Sequence, residues 1–295
     1  MLSRLAAGET ILGDGGWGTM LMARGLRPGE CPELLNLERP ELLAEVAGLY
    51  LEAGADLITT NTFGGSPLRL EHFGLADRCA ELNRRGVESV HEHVDGRALV
   101  AASIGPCGRL LEPYGDVKPE TVEEGFKRQA AAVAEAGADV IVIETMTDAG
   151  EAELALAAVK AEAPGLPVVA TMTFDATPRG FFTIMGVTVE EAAHRLTDAG
   201  ADVVGSNCGH GVRPMAEIAR TFGAATDLPI AIQANAGLPE HRGRELVWPE
   251  DPATWADRAL ALRDLGVGLI GGCCGTTPEH IRRLRLRLEQ TESSA

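Results

Sequence analysis

The sequence predicts a single-domain (β/α)8 TIM barrel, and three observations carry that expectation. First, a phrase recurs along the chain: Glu52-Ala-Gly-Ala-Asp56, Glu135-Ala-Gly-Ala-Asp139 and Asp198-Ala-Gly-Ala-Asp202, with a looser Asp264-Leu-Gly-Val-Gly268. Each copy follows a segment of helical period and precedes a β-branched apolar run. The pattern reads as a helix closed by a left-handed glycine, then a short turn into a buried strand. Second, eight such runs alternate with helical segments in 295 residues, as in a barrel of parallel strands. Third, nearly every run ends on polar or reactive residues, and a barrel gathers strand C-termini onto one face.

The first expected strand, 11–15, is Ile-Leu-Gly-Asp-Gly and delivers Asp14. The second, 56–62, ends in Thr60-Asn61-Thr62, and the third, 98–104, carries Ser103 near its end. In the fourth, 139–145, Val-Ile-Val-Ile runs into Glu144-Thr145. The fifth, 167–174, carries Thr173 and leads into Asp175, and the sixth, 202–207, runs through Asn207 into Cys208. The seventh, 229–235, contains Gln233 and Asn235; the eighth, 267–272, opens into Cys273-Cys274. Each is short and apolar through its body, as strands buried on both faces are. Helical period marks 40–53, 120–136, 149–162, 189–199 and 255–265. A doubly wound open sheet is the alternative reading of the same alternation. No linker tract divides the chain, so 1–295 is expected to be one domain, with 286–295 a flexible tail.

The net charge of −17 argues against nucleic-acid binding, which needs clustered Lys and Arg. No apolar run of membrane-spanning length is present, and residues 1–13 lack the apolar core of a secretory signal. Six cysteines without export read as reduced thiols, and the expected location is cytoplasmic.

Gly271-Gly-Cys273-Cys274-Gly-Thr-Thr-Pro278 sets two adjacent cysteines among glycines, and Cys208 would end the sixth strand on the same face. Three thiols make a sulfur-rich site suited to tetrahedral zinc with one position open. Neighbouring strand residues point to opposite faces, so the flanking glycines are needed to bend both sulfurs toward one metal. Two other readings stand beside this one. A vicinal disulfide is strained and ill-suited to a reducing cytosol. A phosphate turn would use Gly271–Thr277 with Thr277 capping a helix that begins at Pro278, although Glu279 disfavours an anion there. Cys31, Cys79 and Cys107 read as small buried hydrophobes, and His210 as a hydrogen-bonding loop histidine rather than a ligand. Asp14 and Glu144 are acids at strand ends, and Glu144 is expensive to bury unpartnered. Two acids beside a metal suggest capture of a cationic group such as an amino-acid ammonium.

These motifs resemble the homocysteine S-methyltransferase family, nearest to the homocysteine-binding module of cobalamin-dependent methionine synthase. The resemblance rests on Asp14-Gly-Gly-Trp-Gly-Thr-Met20, Leu34-Leu-Asn-Leu-Glu-Arg-Pro40, Thr60-Asn-Thr-Phe-Gly64, Tyr114-Gly-Asp116, Glu144-Thr-Met146, Asn207-Cys208, Asn235-Ala-Gly-Leu-Pro239 and the Cys273-Cys274 segment, spanning roughly residues 8 to 285. It implies a (β/α)8 fold, Zn2+ held by Cys208, Cys273 and Cys274, and homocysteine sulfur completing the tetrahedron. Asp14 and Glu144 would hold the ammonium, backbone amides the carboxylate, and Asn235 the metal's open position before substrate arrives.

A free thiol with a pKa of about 8.5 is mostly protonated at neutral pH, and zinc deprotonates it. Three thiolates already outweigh the metal's charge, so a fourth sulfur keeps electron density and stays nucleophilic. No cobalamin or folate module lies within these 295 residues. The expected donor is therefore a methylated corrinoid on a separate protein, a folate-linked system, or a small onium compound such as S-methylmethionine or betaine. Trp17 stands where the methionine synthase branch commonly has Ala-Met, and is expected either to pack or to face a methylonium by cation–π attraction. The competing functions are a phosphate- or pterin-binding barrel enzyme with incidental cysteines, and a non-catalytic zinc-binding subunit.

Overall fold

The computed structural model describes residues 1–243 and 245–292. Eight parallel strands, β1 (Ile11–Leu12), β2 (Leu57–Thr59), β3 (Leu99–Ile104), β4 (Val140–Met146), β5 (Val168–Met172), β6 (Val203–Asn207), β7 (Ile230–Ala234) and β8 (Val267–Gly272), form one sheet. Its order is β1-β8-β7-β6-β5-β4-β3-β2, and a lone parallel bridge, Gly13 to Leu57, joins the two ends. The result is a nearly closed (β/α)8 barrel. Helices α1 (Pro40–Glu52), α2 (Cys79–Val94), α3 (Pro119–Glu135), α4 (Ala149–Glu162), α5 (Val189–Asp198), α6 (Val212–Ala225), α7 (Pro252–Arg263) and α8 (Pro278–Glu292) follow the strands in turn. Local chemistry starts several of them. Asp148, Thr188 and Asp251 cap α4, α5 and α7 with side-chain oxygens, and Pro leads α1, α3 and α7.

The recurring phrase does two jobs. Its glycines, Gly54, Gly137, Gly200 and Gly266, all lie in the left-handed region, with φ between 81° and 93°, and turn each helix into the next strand. Its aspartates stitch the sheet. Asp56, Asp139 and Asp202 donate their N–H to the carbonyls of Leu12, Val100 and Val168 at 2.7, 2.8 and 2.9 Å. Their Oδ2 atoms accept the N–H of the same three residues at 2.9, 2.8 and 2.8 Å. Each even strand is thus fastened to the odd strand before it at the end opposite the polar strand termini. In the looser fourth copy Gly268 takes the aspartate's place. A Cβ there would lie 2.8 Å from Leu5 Cδ2, and Leu5 of the N-terminal helix Leu2–Ala6 packs with the barrel-interior residues Ile11, Val142, Val203 and Leu269.

Two expectations are corrected. β1 is regular only over Ile11–Leu12 rather than to 15. On the β8 side Gly13 N–H and Asp14 O still bond Ile270 and Gly272 at 2.8 Å. On the β2 side only the Gly13–Leu57 bridge follows, and Thr59 N–H then donates to Asp14 Oδ2 at 2.8 Å. The segment 286–295 is not a loose tail as far as it is described. α8 runs to Glu292, Leu288 is buried, Arg287 donates to Asp257 at 2.7 Å, and Thr291 Oγ1 accepts from Arg263 at 2.8 Å; residues 293–295 lie outside the described residues. Among the described residues no helix is long and apolar enough to cross a membrane. Two hairpins, Asp175–Thr177 with Gly180–Phe182 and Glu240–Arg242 with Glu245–Val247, were not foreseen. Both lie in loops after strand C-termini.

Candidate functional site

The strand ends enclose a cavity of about 260 Å3 lined by Asp14, Trp17, Glu144, Cys208, Cys273 and Cys274 among others. The sulfurs of the three cysteines all lie within 4.8 Å of one another, with Cys208 and Cys274 4.0 Å apart. Tetrahedral zinc with bonds of about 2.3 Å asks for sulfurs about 3.8 Å apart, so the triad fits a zinc ion closely. Contacts among the three sulfurs pull the Cys208 thiol down, while the contact with Cys208 and burial push the other two up. A dication would stabilise thiolates at all three.

Backbone geometry brings the sulfurs together. Cys208 itself adopts φ +62°, a conformation that costs a non-glycine residue ~1–3 kcal/mol. Its N–H donates to Gln233 O at 3.0 Å, and its carbonyl accepts His210 N–H at 2.7 Å. On the other side Gly275 has φ +81°, and a Cβ there would collide with the Trp248 ring. The amides of the glycine turn are already engaged. Gly272 donates to Asp14 O, Cys273 to Ala234 O, Thr276 to Cys273 O, Gly275 to Thr19 Oγ1 and Thr277 to His280 Nδ1, all between 2.8 and 3.1 Å. Most of the donors a phosphate turn would use are thus taken, and Pro278 begins α8 as expected.

The two acids occupy the same cavity. Asp14 is 1% exposed, and its Oδ2 accepts Trp17 Nε1 at 2.7 Å, Thr59 N at 2.8 Å and Thr59 Oγ1 at 2.9 Å. Among the described residues Oδ1 has no such partner. Burial pushes this carboxyl up to about 6, against the pull of those donors. Glu144 accepts from Ser103 Oγ and, at 3.1 Å, from Asn207 Nδ2. Burial pushes it up to about 7; Ser103 opposes the shift, and the charges of Asp14 and Cys208 add to it. Two carboxyls held this high sit where an incoming cation would return them to the ionised form.

Asn235 is 3% exposed, its side chain hydrogen-bonds toward Cys208, and its Oδ1 has no hydrogen-bond partner. A buried, unpaired amide oxygen on a side chain next to Cys208 is a further sign of a cation site. His210 stays outside the cluster, accepting Ala176 N–H at Nε2 over 3.1 Å. Cys31, Cys79 and Cys107 are buried and unpaired, with burial raising each thiol to about 11 or 12. Missed at the level of sequence was the support of the acids by Trp17, Thr59, Ser103 and Asn207. Its only signal was the polar endings of β2, β3 and β6.

Fold and site define a class: a barrel protein whose strand C-termini build a three-thiol centre beside two paired acids. The sequence model of the homocysteine S-methyltransferase family matches residues 11–288, and the chain belongs to that family. Methionine synthases of Mycobacterium leprae and Mycobacterium tuberculosis are each 31% identical over 94% of this chain. The chain spans about a quarter, 24%, of the length of those relatives. Among solved structures, the metallated form of the Escherichia coli homocysteine methyltransferase MmuM superposes with a TM-score of 0.80 at 24% identity, covering 97% of this chain and 98% of that one. Its apo form gives 0.72, covering 95% and 96%. At that identity the structural likeness speaks to the fold.

Proposed function

We propose that this chain transfers a methyl group to the thiol of homocysteine, giving methionine, at a zinc ion held by Cys208, Cys273 and Cys274. The observation that carries the reading is the convergence of three sulfurs within 4.8 Å in the cavity that also holds Asp14 and Glu144. Zinc bound there would supply a fourth position where a thiol loses its proton yet remains electron-rich. The protein's own groups do the rest. Asp14 Oδ1 and Glu144 take the substrate ammonium, and their raised pKa values fall back as that charge arrives. Strand-end amides take the carboxylate. Asn235, beside Cys208, would hold the metal's remaining position before substrate arrives.

Methyl transfer to a sulfur fixed at one end by metal and at the other by its ammonium is an in-line displacement governed by positioning. That account needs no general base, in keeping with His210 being engaged elsewhere. The donor is proposed to be a methylated corrinoid presented by a separate protein, with folate-linked systems or a small onium compound as the other members of a donor panel. Trp17 is spoken for at its Nε1, which favours a role in holding Asp14 over an onium cage. Family membership and the triad together favour this reading over a pterin enzyme or an inert zinc module.

The test is metal analysis and zinc-edge absorption of Cys208→Ser, beside homocysteine binding. The variant should lose most of its zinc, and wild type should gain one sulfur neighbour on adding homocysteine. Full zinc with unchanged sulfur coordination in the variant sinks the assignment.

A further inference from the structure

Glu144 and Thr145 sit at an irregularity in β4. Ile143 pairs with Ala170 and Met146 with Met172, so β4 carries one more residue than β5 across this step. The extra residue forms a bulge, a device that re-aims side chains beside active sites. Thr145 there has φ +61°, a left-handed setting that a β-branched residue does not hold unsupported. The support comes from one side chain. Asn207 is fully buried; its Oδ1 accepts Thr145 N–H at 2.7 Å, and its Nδ2 donates to Thr145 Oγ1 at 2.8 Å and to Glu144 Oε2 at 3.1 Å. Asn207 is itself fixed, with Thr171 Oγ1 donating to Oδ1 at 2.8 Å and Thr173 Oγ1 donating to its carbonyl at 2.9 Å.

We infer that Asn207 is a positioning residue for the acceptor site, clamping the Glu144–Thr145 bulge so that the Glu144 carboxylate faces the substrate ammonium. The inference rests on the homocysteine reading and adds to it. An amide serves here where an acid or a hydroxyl does not, because one group must accept from a backbone N–H and donate to a carboxylate at once. Serine lacks the span, and aspartate accepts at both oxygens and sets a like charge against Glu144.

The experiment uses zinc-loaded full chain and calorimetric titration with two thiols, homocysteine and 1-propanethiol, which lacks the amine. Asn207→Asp preserves shape and the bond from Thr145 N–H while removing the Nδ2 donor, which serves Glu144 and Thr145 Oγ1 and also reaches Cys273 Sγ at 3.9 Å. It should keep its zinc and melt within a few degrees of wild type. Homocysteine affinity should fall about tenfold or more, as for a lost hydrogen bond to a charged group, with propanethiol affinity changed less than about threefold. In a Glu144→Gln background the same substitution should add less than about threefold, because the group it positions has lost its charge. Homocysteine binding unaffected by Asn207→Asp, equal losses for both thiols, or a full additional loss in the Glu144→Gln background overturns the inference while leaving the homocysteine reading intact. Failure of wild type to bind homocysteine overturns that reading and this inference with it.

Discussion

Trp17 Nε1 donates to Asp14 Oδ2 over 2.7 Å, so the indole at the head of the short helix Trp17–Met22 anchors an acid of the cavity. That bond stabilises the ionised carboxylate and holds its pKa below the level burial alone would impose. Trp17→Phe keeps the bulk and removes the donor. Asp14 then ionises at higher pH, and ammonium binding, which needs the carboxylate, follows it. The midpoint of homocysteine affinity against pH should move up by about half to one unit, weakening binding several-fold near pH 6 and little above pH 8. Titrations across that range decide; a uniform loss with an unmoved midpoint would leave Trp17 a packing residue only.

Asp14 also makes a stability prediction. Its folded pKa of about 6 lies above the ordinary aspartate value of 3.8, so the folded state binds a proton the unfolded state has released. Ionisation therefore works against folding, and stability attributable to this group falls as pH rises from about 4 to 6. Asp14→Asn should melt several degrees higher at pH 8 and show a flatter profile between pH 4 and 6, while losing homocysteine binding. A lower melting temperature at pH 8 contradicts the burial argument.

Gly275 is the hinge of the sulfur loop, at φ +81° and against Trp248. Gly275→Ala should displace Cys273 and Cys274 from Cys208 and lower zinc content well below one per chain. The amide ladder of the strands lies elsewhere, so far-ultraviolet circular dichroism should stay close to wild type. Stoichiometric zinc in this variant removes the argument that the glycine is there for the metal.

At the opposite end of the barrel, Asp56 and Asp139 make the same pair of backbone bonds to the preceding strand. Asp56 additionally binds Arg285 at 2.6 Å and Arg4 at 3.2 Å and fastens the strand pair joined by the lone Gly13–Leu57 bridge. Both Asp→Ala variants should be destabilised, Asp139→Ala by about 1–2 kcal/mol and Asp56→Ala by more. Chemical denaturation checks the order, and the reverse order would mean the β1–β2 seam is not a weak point.

Eight strands were legible because buried parallel strands are short apolar runs, and the recurring Gly in each helix-to-strand turn marked their beginnings. The cysteine triad was legible for another reason: adjacent cysteines among glycines have few structural uses. The short reach of β1 was not, since a side chain replacing a backbone ladder leaves no period in the sequence. Nor was the aspartate of the repeat recognised as a stitch, because its partner lies about 40 residues away on the neighbouring strand. The bulge at Glu144–Thr145 was hidden likewise. Val140 to Thr145 reads as one continuous strand, and only the pairing register with β5 reveals the extra residue.

The two oxygens of Asp14 have separate duties. Oδ2 gathers Thr59 and Trp17 and so forms part of the wall between β1 and β2, where the sheet's own ladder has run out. Oδ1 is left for the cavity. A guest that takes Oδ1 need not loosen the wall to be held, and a cationic guest would offset the cost of ionising this buried acid. On the proposed function, the substrate would sit against the barrel's thinnest join.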